Sequence, residues 1–135
     1  MNQKIEHRLP PRRAKMLSGT TPRYKTGCGW VYITINVDDS GYPVEVFAHM
    51  GKSGGCGSAI LESIGRLISV SLRCDVDAAE LASQLVNIEC PNKTFDEGIH
   101  ITSCPSAIGQ AVKDVLAKLE IPVTGTVDDI ESKQE

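Results

Sequence analysis

Two runs of alternating apolar and polar residues, joined by a four-residue turn, set the frame for this chain. Val31, Ile33 and Ile35 alternate with Tyr32, Thr34 and Asn36, and Val44, Val46 and Ala48 alternate with Glu45, Phe47 and His49. A period of two places one set on each face of a strand. Between the runs, Asp38-Asp39-Ser40-Gly41 is a turn cluster whose glycine accepts positive φ. The pair predicts a β-hairpin, with an apolar face that another layer must cover.

Three stretches of helical periodicity can supply that cover. Ile60, Leu61, Ile64, Leu67, Ile68 and Leu72 recur at spacings of three and four, as one face of a helix requires. Asp77 followed by Glu80 has capping-box spacing and announces a second helix, with Leu81, Leu85 and Ile88 as its buried face. Cys90-Pro91 marks its end, because proline cannot continue a helix. Phe95 to Gly98 reads as a loop and Ile99-His100-Ile101 as a short strand. Pro105 then sits where a helix begins, and Ile108, Ala111, Val112, Val115, Leu116 and Leu119 form its apolar face. The expected class is α+β, a small antiparallel sheet with about three helices packed on one face. Residues 1–24 read as an extended arm, since Leu9-Pro10-Pro11-Arg12-Arg13 has no periodicity and its prolines favour extended backbone. Residues 25–120 form the domain, and 121–135 an acidic, frayed tail.

A chain of 135 residues suits one domain and buries enough surface to stand without staples. No apolar run reaches the length of a membrane span, and no signal-peptide pattern opens the chain. The expectation is a cytoplasmic protein in a reducing compartment, where disulfides are rare. The net charge of -3 gives no support to a nucleic-acid partner, which usually needs a basic face, without excluding one.

The five cysteines divide into two kinds. Cys28 lies between Gly27 and Gly29, Cys56 follows Gly54-Gly55, Cys90 precedes Pro91 and Cys104 precedes Pro105. All four fall in glycine or proline turns at the ends of predicted elements, where ligands and nucleophiles are commonly presented. Cys74 instead closes an apolar helix and behaves as a small hydrophobe. Four thiolates satisfy tetrahedral zinc, and Cys56 and Cys104 sit at helix N-termini, where the dipole favours thiolate. Yet zinc ribbons bring their ligands as C-x-x-C pairs, and these cysteines are scattered singly. A metal site, a redox thiol pair and inert cysteines all remain open on the residues alone.

Three ordered segments narrow the choice. Lys25-Thr26-Gly27-Cys28-Gly29, Gly51-Lys52-Ser53-Gly54-Gly55-Cys56 and Thr102-Ser103-Cys104-Pro105 together resemble the TSCPD domain, the C-terminal extension of adenosylcobalamin-dependent (class II) ribonucleotide reductases that also occurs alone. The resemblance runs from about residue 8 to 118. It implies metal binding by Cys28, Cys56, Cys90 and Cys104, with zinc as the expected ion and an iron–sulfur cluster as the lesser alternative. It also implies a reductase as partner, in deoxyribonucleotide synthesis and DNA replication. The chain has no reductase barrel and no cobalamin domain, so no catalysis is expected of it alone. A thiol–disulfide relay feeding a reductase is the competing expectation. One departure stands out: the family's aspartate after Ser-Cys-Pro is here Ser106, which can still cap a helix but carries no charge.

Other residues carry weaker signals. His49 and His100 lie near the cysteine motifs but read better as surface or packing residues. Lys52, Ser53, Gly54 and Gly55, ahead of a helix, form a candidate phosphate or anion loop through free backbone N–H groups, without P-loop spacing. Trp30 reads as a packing residue beside the cysteine site rather than a stacking platform. Glu62 and Arg66 are spaced for a helix ion pair.

Overall fold

The computed structural model describes residues 6–51 and 55–119. The predicted hairpin is its centre. Strand β3 (Gly29–Val37) pairs antiparallel with β4 (Pro43–Met50), which places Ile33 opposite Ala48 and Ile35 opposite Val46. The other edge of β3 is taken by two short strands, β1 (Ser18–Thr20) and β2 (Arg23–Thr26). Pro22 joins them, and its carbonyl accepts the Ile33 N–H at 2.9 Å. Strand structure therefore begins at Ser18, inside the segment read from sequence as an arm. Short, polar and exposed, β1 has no apolar alternation to announce it.

Helix α1 (Gly55–Arg73) packs along β4, α2 (Ala78–Leu85) packs against α3 (Cys104–Leu119), and α3 also crosses the inner face of β3. A second, two-stranded sheet pairs β5 (Thr94–Asp96) with β6 (Ile99–Ile101). The arrangement is α+β, as the periodicities predict, with this extra hairpin where Phe95–Gly98 read as a loop. Its turn rests on Glu97 and Gly98, both at positive φ. The core is aliphatic: Val31, Ile33, Ile35, Val46, Leu61, Ile101, Ile108 and Val112 are sealed from solvent.

Two helical faces differ from expectation. In α1, Leu61, Ile68 and Leu72 are buried, but Ile60 and Leu67 are exposed. Gly65 and Ser69 take their place at the contact, because the helix lies so close to β4 that a Cβ on Gly65 would stand 2.9 Å from the Val46 carbonyl oxygen. In α2, the buried residues are Ala78 and Ala82, while Ile88 is exposed. Small side chains face α3 here because Gly109 brings the helices together, its hypothetical Cβ lying 2.9 Å from the Ala82 carbonyl oxygen. Asp77 caps α2 as predicted, accepting the Glu80 N–H at 2.9 Å. The helix stops at Leu85, ahead of Cys90-Pro91, and Asn87 at positive φ turns the chain away.

Residues 6–17 have no regular structure but are fastened at two points. Arg8 donates to the carbonyl of Cys74 at 2.6 Å, just past the end of α1. Arg13 makes a two-pronged bond to Glu45, at 2.9 and 2.7 Å, on the outer face of β4. Asn36 adds a third donor to the same carboxylate. Glu45 is 1% exposed, and the Arg13 guanidinium, helped by Asn36, holds its carboxyl below the usual range. A depressed folded-state pKa stabilises above the unfolded value and loses that contribution as pH falls through the folded value. Glu45→Gln should therefore be less stable than the wild type at pH 7, with the gap closing below about pH 4. Urea midpoints of both proteins across that range provide the check, and a gap that is constant with pH would mean that the carboxylate charge plays no part.

Candidate cysteine site

The end of β2 and the turn after it place Thr26 at the centre of the site. Its hydroxyl is buried and uses its full bonding capacity. It donates to the Gly29 carbonyl at 2.7 Å, accepts the Cys28 N–H at 3.2 Å, and accepts the Cys104 thiol at 3.6 Å. Gly29, at φ 124°, turns the chain from the Cys28 loop into β3, a conformation that favours glycine. Cys104 opens α3, whose N-terminus is capped by the Ser103 hydroxyl accepting the Ser106 N–H at 3.0 Å. Ser103 is thus the cap, and Ser106 is a buried residue of the first turn, where an aspartate would need a partner for its charge.

The Cys104 thiol stands within electrostatic range of both Cys28 and Cys90. Cys90 is held by its own N–H, which donates to the Thr102 carbonyl at 2.9 Å, two residues before Cys104. Asn92 follows and donates from its amide to the Cys28 sulfur at 3.5 Å. Its carbonyl lies so close to Gly27 that a Cβ there would be 1.8 Å from the oxygen. Cys28 and Cys104 thus share one buried hydroxyl, and Cys90 is fastened nearby through Thr102, within electrostatic range of Cys104. The fourth does not join them: Cys56 is exposed on the first turn of α1. The link toward it nevertheless starts at the site, since Gly51 lines the same hollow of about 330 Å³ as Cys28, Trp30 and Met50. Among the described residues, no group of three or more His, Cys, Asp or Glu is arranged to hold a metal ion.

The electrostatics of Cys104 correct one expectation. Its place at the start of α3 predicts a lowered thiol pKa, but burial pushes it up, and the nearby Cys28 and Cys90 add to the rise against the bond to Thr26. Burial disfavours the charged form more than one helix end favours it.

The remaining candidates fall outside the site. His49 stacks on Tyr32 with centroids 5.6 Å apart, and His100 stacks on Phe95 at 4.6 Å. Cys74 is half-buried at the far end of α1. Lys52, Ser53 and Gly54 lie outside the described residues, and Gly55 begins α1. Trp30 lies beside the site, lining the Cys28 hollow, but is 39% exposed, with the Arg23 guanidinium 4.1 Å above its ring. Glu62 and Arg66 pair at 3.2 Å on the exposed face of α1. Sequence reasoning gave no role to Thr26 or Asn92. The signal for Thr26 was present, a hydroxyl two residues before a cysteine in a glycine turn.

Fold and site define a small α+β domain built around singly placed cysteines in turns. A family model for the TSCPD domain matches residues 4–116, and the chain belongs to that family. Searches of curated proteins and of solved structures returned no match. No helix among the described residues is long and apolar enough to cross a membrane.

Proposed function

We propose that this protein is a non-catalytic zinc module that serves a ribonucleotide reductase, with Cys28, Cys56, Cys90 and Cys104 as the ligands. The observation that carries the reading is that Cys28 and Cys104 share the Thr26 hydroxyl with Cys90 close by, from three turns far apart in the sequence. Buried inert cysteines have no reason to meet at turns, whereas thiol ligands must. The donor set suits zinc, which takes four thiolates. Cys56 would complete it from the first turn of α1, reached through the stretch that leaves the Cys28 hollow at Gly51. The ion would supply a cross-link between element ends and contribute to folding free energy. Thr26 and Asn92 would position Cys28 and Cys104 beneath it. The link to a reductase rests on the family alone.

One observation favours a second reading. Cys28 is exposed and within electrostatic range of the Cys104 thiol, as a dithiol relay requires. In that case the two thiols give two electrons and two protons to a partner's disulfide and close a Cys28–Cys104 disulfide.

Elemental analysis of untagged protein purified without chelator, with a native thiol titration, separates the two. One zinc per chain, with Cys28, Cys56, Cys90 and Cys104 protected from the reagent, is the expected result. Protein free of metal with those thiols reactive would sink the zinc reading in favour of the relay. Iron with acid-labile sulfide would replace zinc by a cluster.

A further inference from the structure

The outer face of the four-stranded sheet is not built as a solvated face. One side of an antiparallel sheet usually faces water with polar residues. Here the rows across the sheet read Arg23–Tyr32–His49 and Lys25–Trp30, with Thr34–Phe47 beside them. The chain has six aromatic residues other than histidine. Only Tyr24 and Tyr42 pack with the core, while the lone Trp and both Phe are exposed. Phe47 is 46% exposed, on a strand whose opposite face is sealed. The core gains nothing from these rings.

Charge selects what covers them. The first 52 residues, which hold the whole sheet, carry eight Lys and Arg against four Asp and Glu, a net of +4, and the remaining residues carry six against thirteen, a net of -7. The overall charge of -3 therefore conceals an uneven distribution along the chain. The one carboxylate on the sheet's outer face, Glu45, is already paired with Arg13. The nearest other acids, Asp96 and Glu97 at the β5–β6 turn, share a hollow with Arg23 and Trp30, and Asp96 accepts the Lys25 backbone N–H at 3.0 Å, which leaves the Lys25 side chain unpaired by it. Arg23 and Lys25 run along β2 directly beside Trp30 and Tyr32 on β3.

We propose that this face binds single-stranded nucleic acid, with bases stacked on Phe47 and, in exchange for their present partners Arg23 and His49, on Trp30 and Tyr32, and with phosphates held by Lys25 and the released Arg23. Alternate residues of a strand stand roughly 7 Å apart, room for one splayed base per ring. Base–aromatic stacking tolerates any sequence, and a cationic row beside it tracks the backbone. A duplex keeps its base faces inside and cannot use the rings. Trp30 and Tyr32 share a hollow with Cys28, but the proposal does not rest on a metal held there.

Because Trp30 is the only tryptophan, its fluorescence reports this face directly. The protein is titrated with oligodeoxythymidylate, oligouridylate and a blunt DNA duplex, each about 12 nucleotides or base pairs long, at roughly 50 mM salt. The expected result is saturable quenching by a single strand, DNA or RNA, and little by the duplex. Tyr32→Ala and Phe47→Ala should each weaken binding about tenfold. Arg23→Glu with Lys25→Glu should abolish it, or lower the salt slope by about two, while Lys113→Glu on α3 leaves it unchanged. Circular dichroism establishes that each variant is folded. No quenching by any single strand would overturn the proposal, as would binding indifferent to Tyr32 and Phe47 or equal affinity for duplex. A face that ignores oligonucleotides but loses a protein partner on Phe47→Asp is a protein interface, and that outcome too rejects it.

Discussion

Gly27→Ala should destabilise this protein by about 3 kcal/mol, at the upper end of what one added methyl costs in a packed site. The methyl would stand 1.8 Å from the carbonyl oxygen of Asn92 and 2.4 Å from its carbon. Both are backbone atoms, so no side-chain rotation relieves the overlap, and the segment from Cys90 to Asn92 must move away. That movement breaks the hydrogen bond that the Asn92 side-chain amide donates to the Cys28 sulfur and shifts Cys90 from the other thiols. Stability and thiol chemistry should therefore fail together: a lower urea midpoint, and faster reaction of Cys28 and Cys104 with a thiol reagent under native conditions. Gly57→Ala is the control. Among the described residues, no atom lies within 4 Å of a Cβ there, and alanine in a helix improves on glycine by roughly 0.5–1 kcal/mol. If Gly27→Ala proves as harmless as Gly57→Ala, the close approach that assembles the site does not exist in solution.

Glycine 27 also shows where sequence reasoning stops. The motif Lys25-Thr26-Gly27-Cys28-Gly29 marks a cysteine turn, and turn chemistry accounts for Gly29, whose φ is 124°. Nothing local shows that Gly27 is there because another segment, some 65 positions on, presses against it. The same holds at each departure from expectation. Ile60 and Leu67 satisfy the helical period but are exposed, because the contact of α1 is set by the small residues Gly65 and Ser69, which periodic apolar patterns pass over. Asn87 ends α2 by backbone conformation, a stop less visible than Cys90-Pro91. The β-hairpin, the Asp77 cap and the helix after Cys104 were legible because their signals are local. That Cys28 and Cys104 share Thr26, with Cys90 close by, depends on how three turns pack, which no spacing encodes.

Ser69→Ala should cost about 3 kcal/mol, for a reason unconnected with the cysteines. Strand β4 ends the sheet, and Val46 faces Ile35 across it. The Val46 N–H donates to the Ser69 hydroxyl at 2.9 Å and the same hydroxyl donates to the Val46 carbonyl at 3.1 Å. One buried serine, 5% exposed, therefore satisfies two backbone groups that point out from the sheet edge. Alanine would remove both partners while α1 still covers the edge, and a buried group left unbonded costs about 1–3 kcal/mol. Gly65, one turn earlier, prevents easy relief, because it holds the helix against the same carbonyl. Ser71→Ala supplies the comparison: its hydroxyl bonds only to the Leu67 carbonyl within α1, and its loss should be close to neutral. Urea unfolding of the two variants measures the difference. Equal midpoints would show that water replaces Ser69 at the edge. A large gap, with slow aggregation of Ser69→Ala, would show that α1 is the cap that keeps β4 from pairing with another chain.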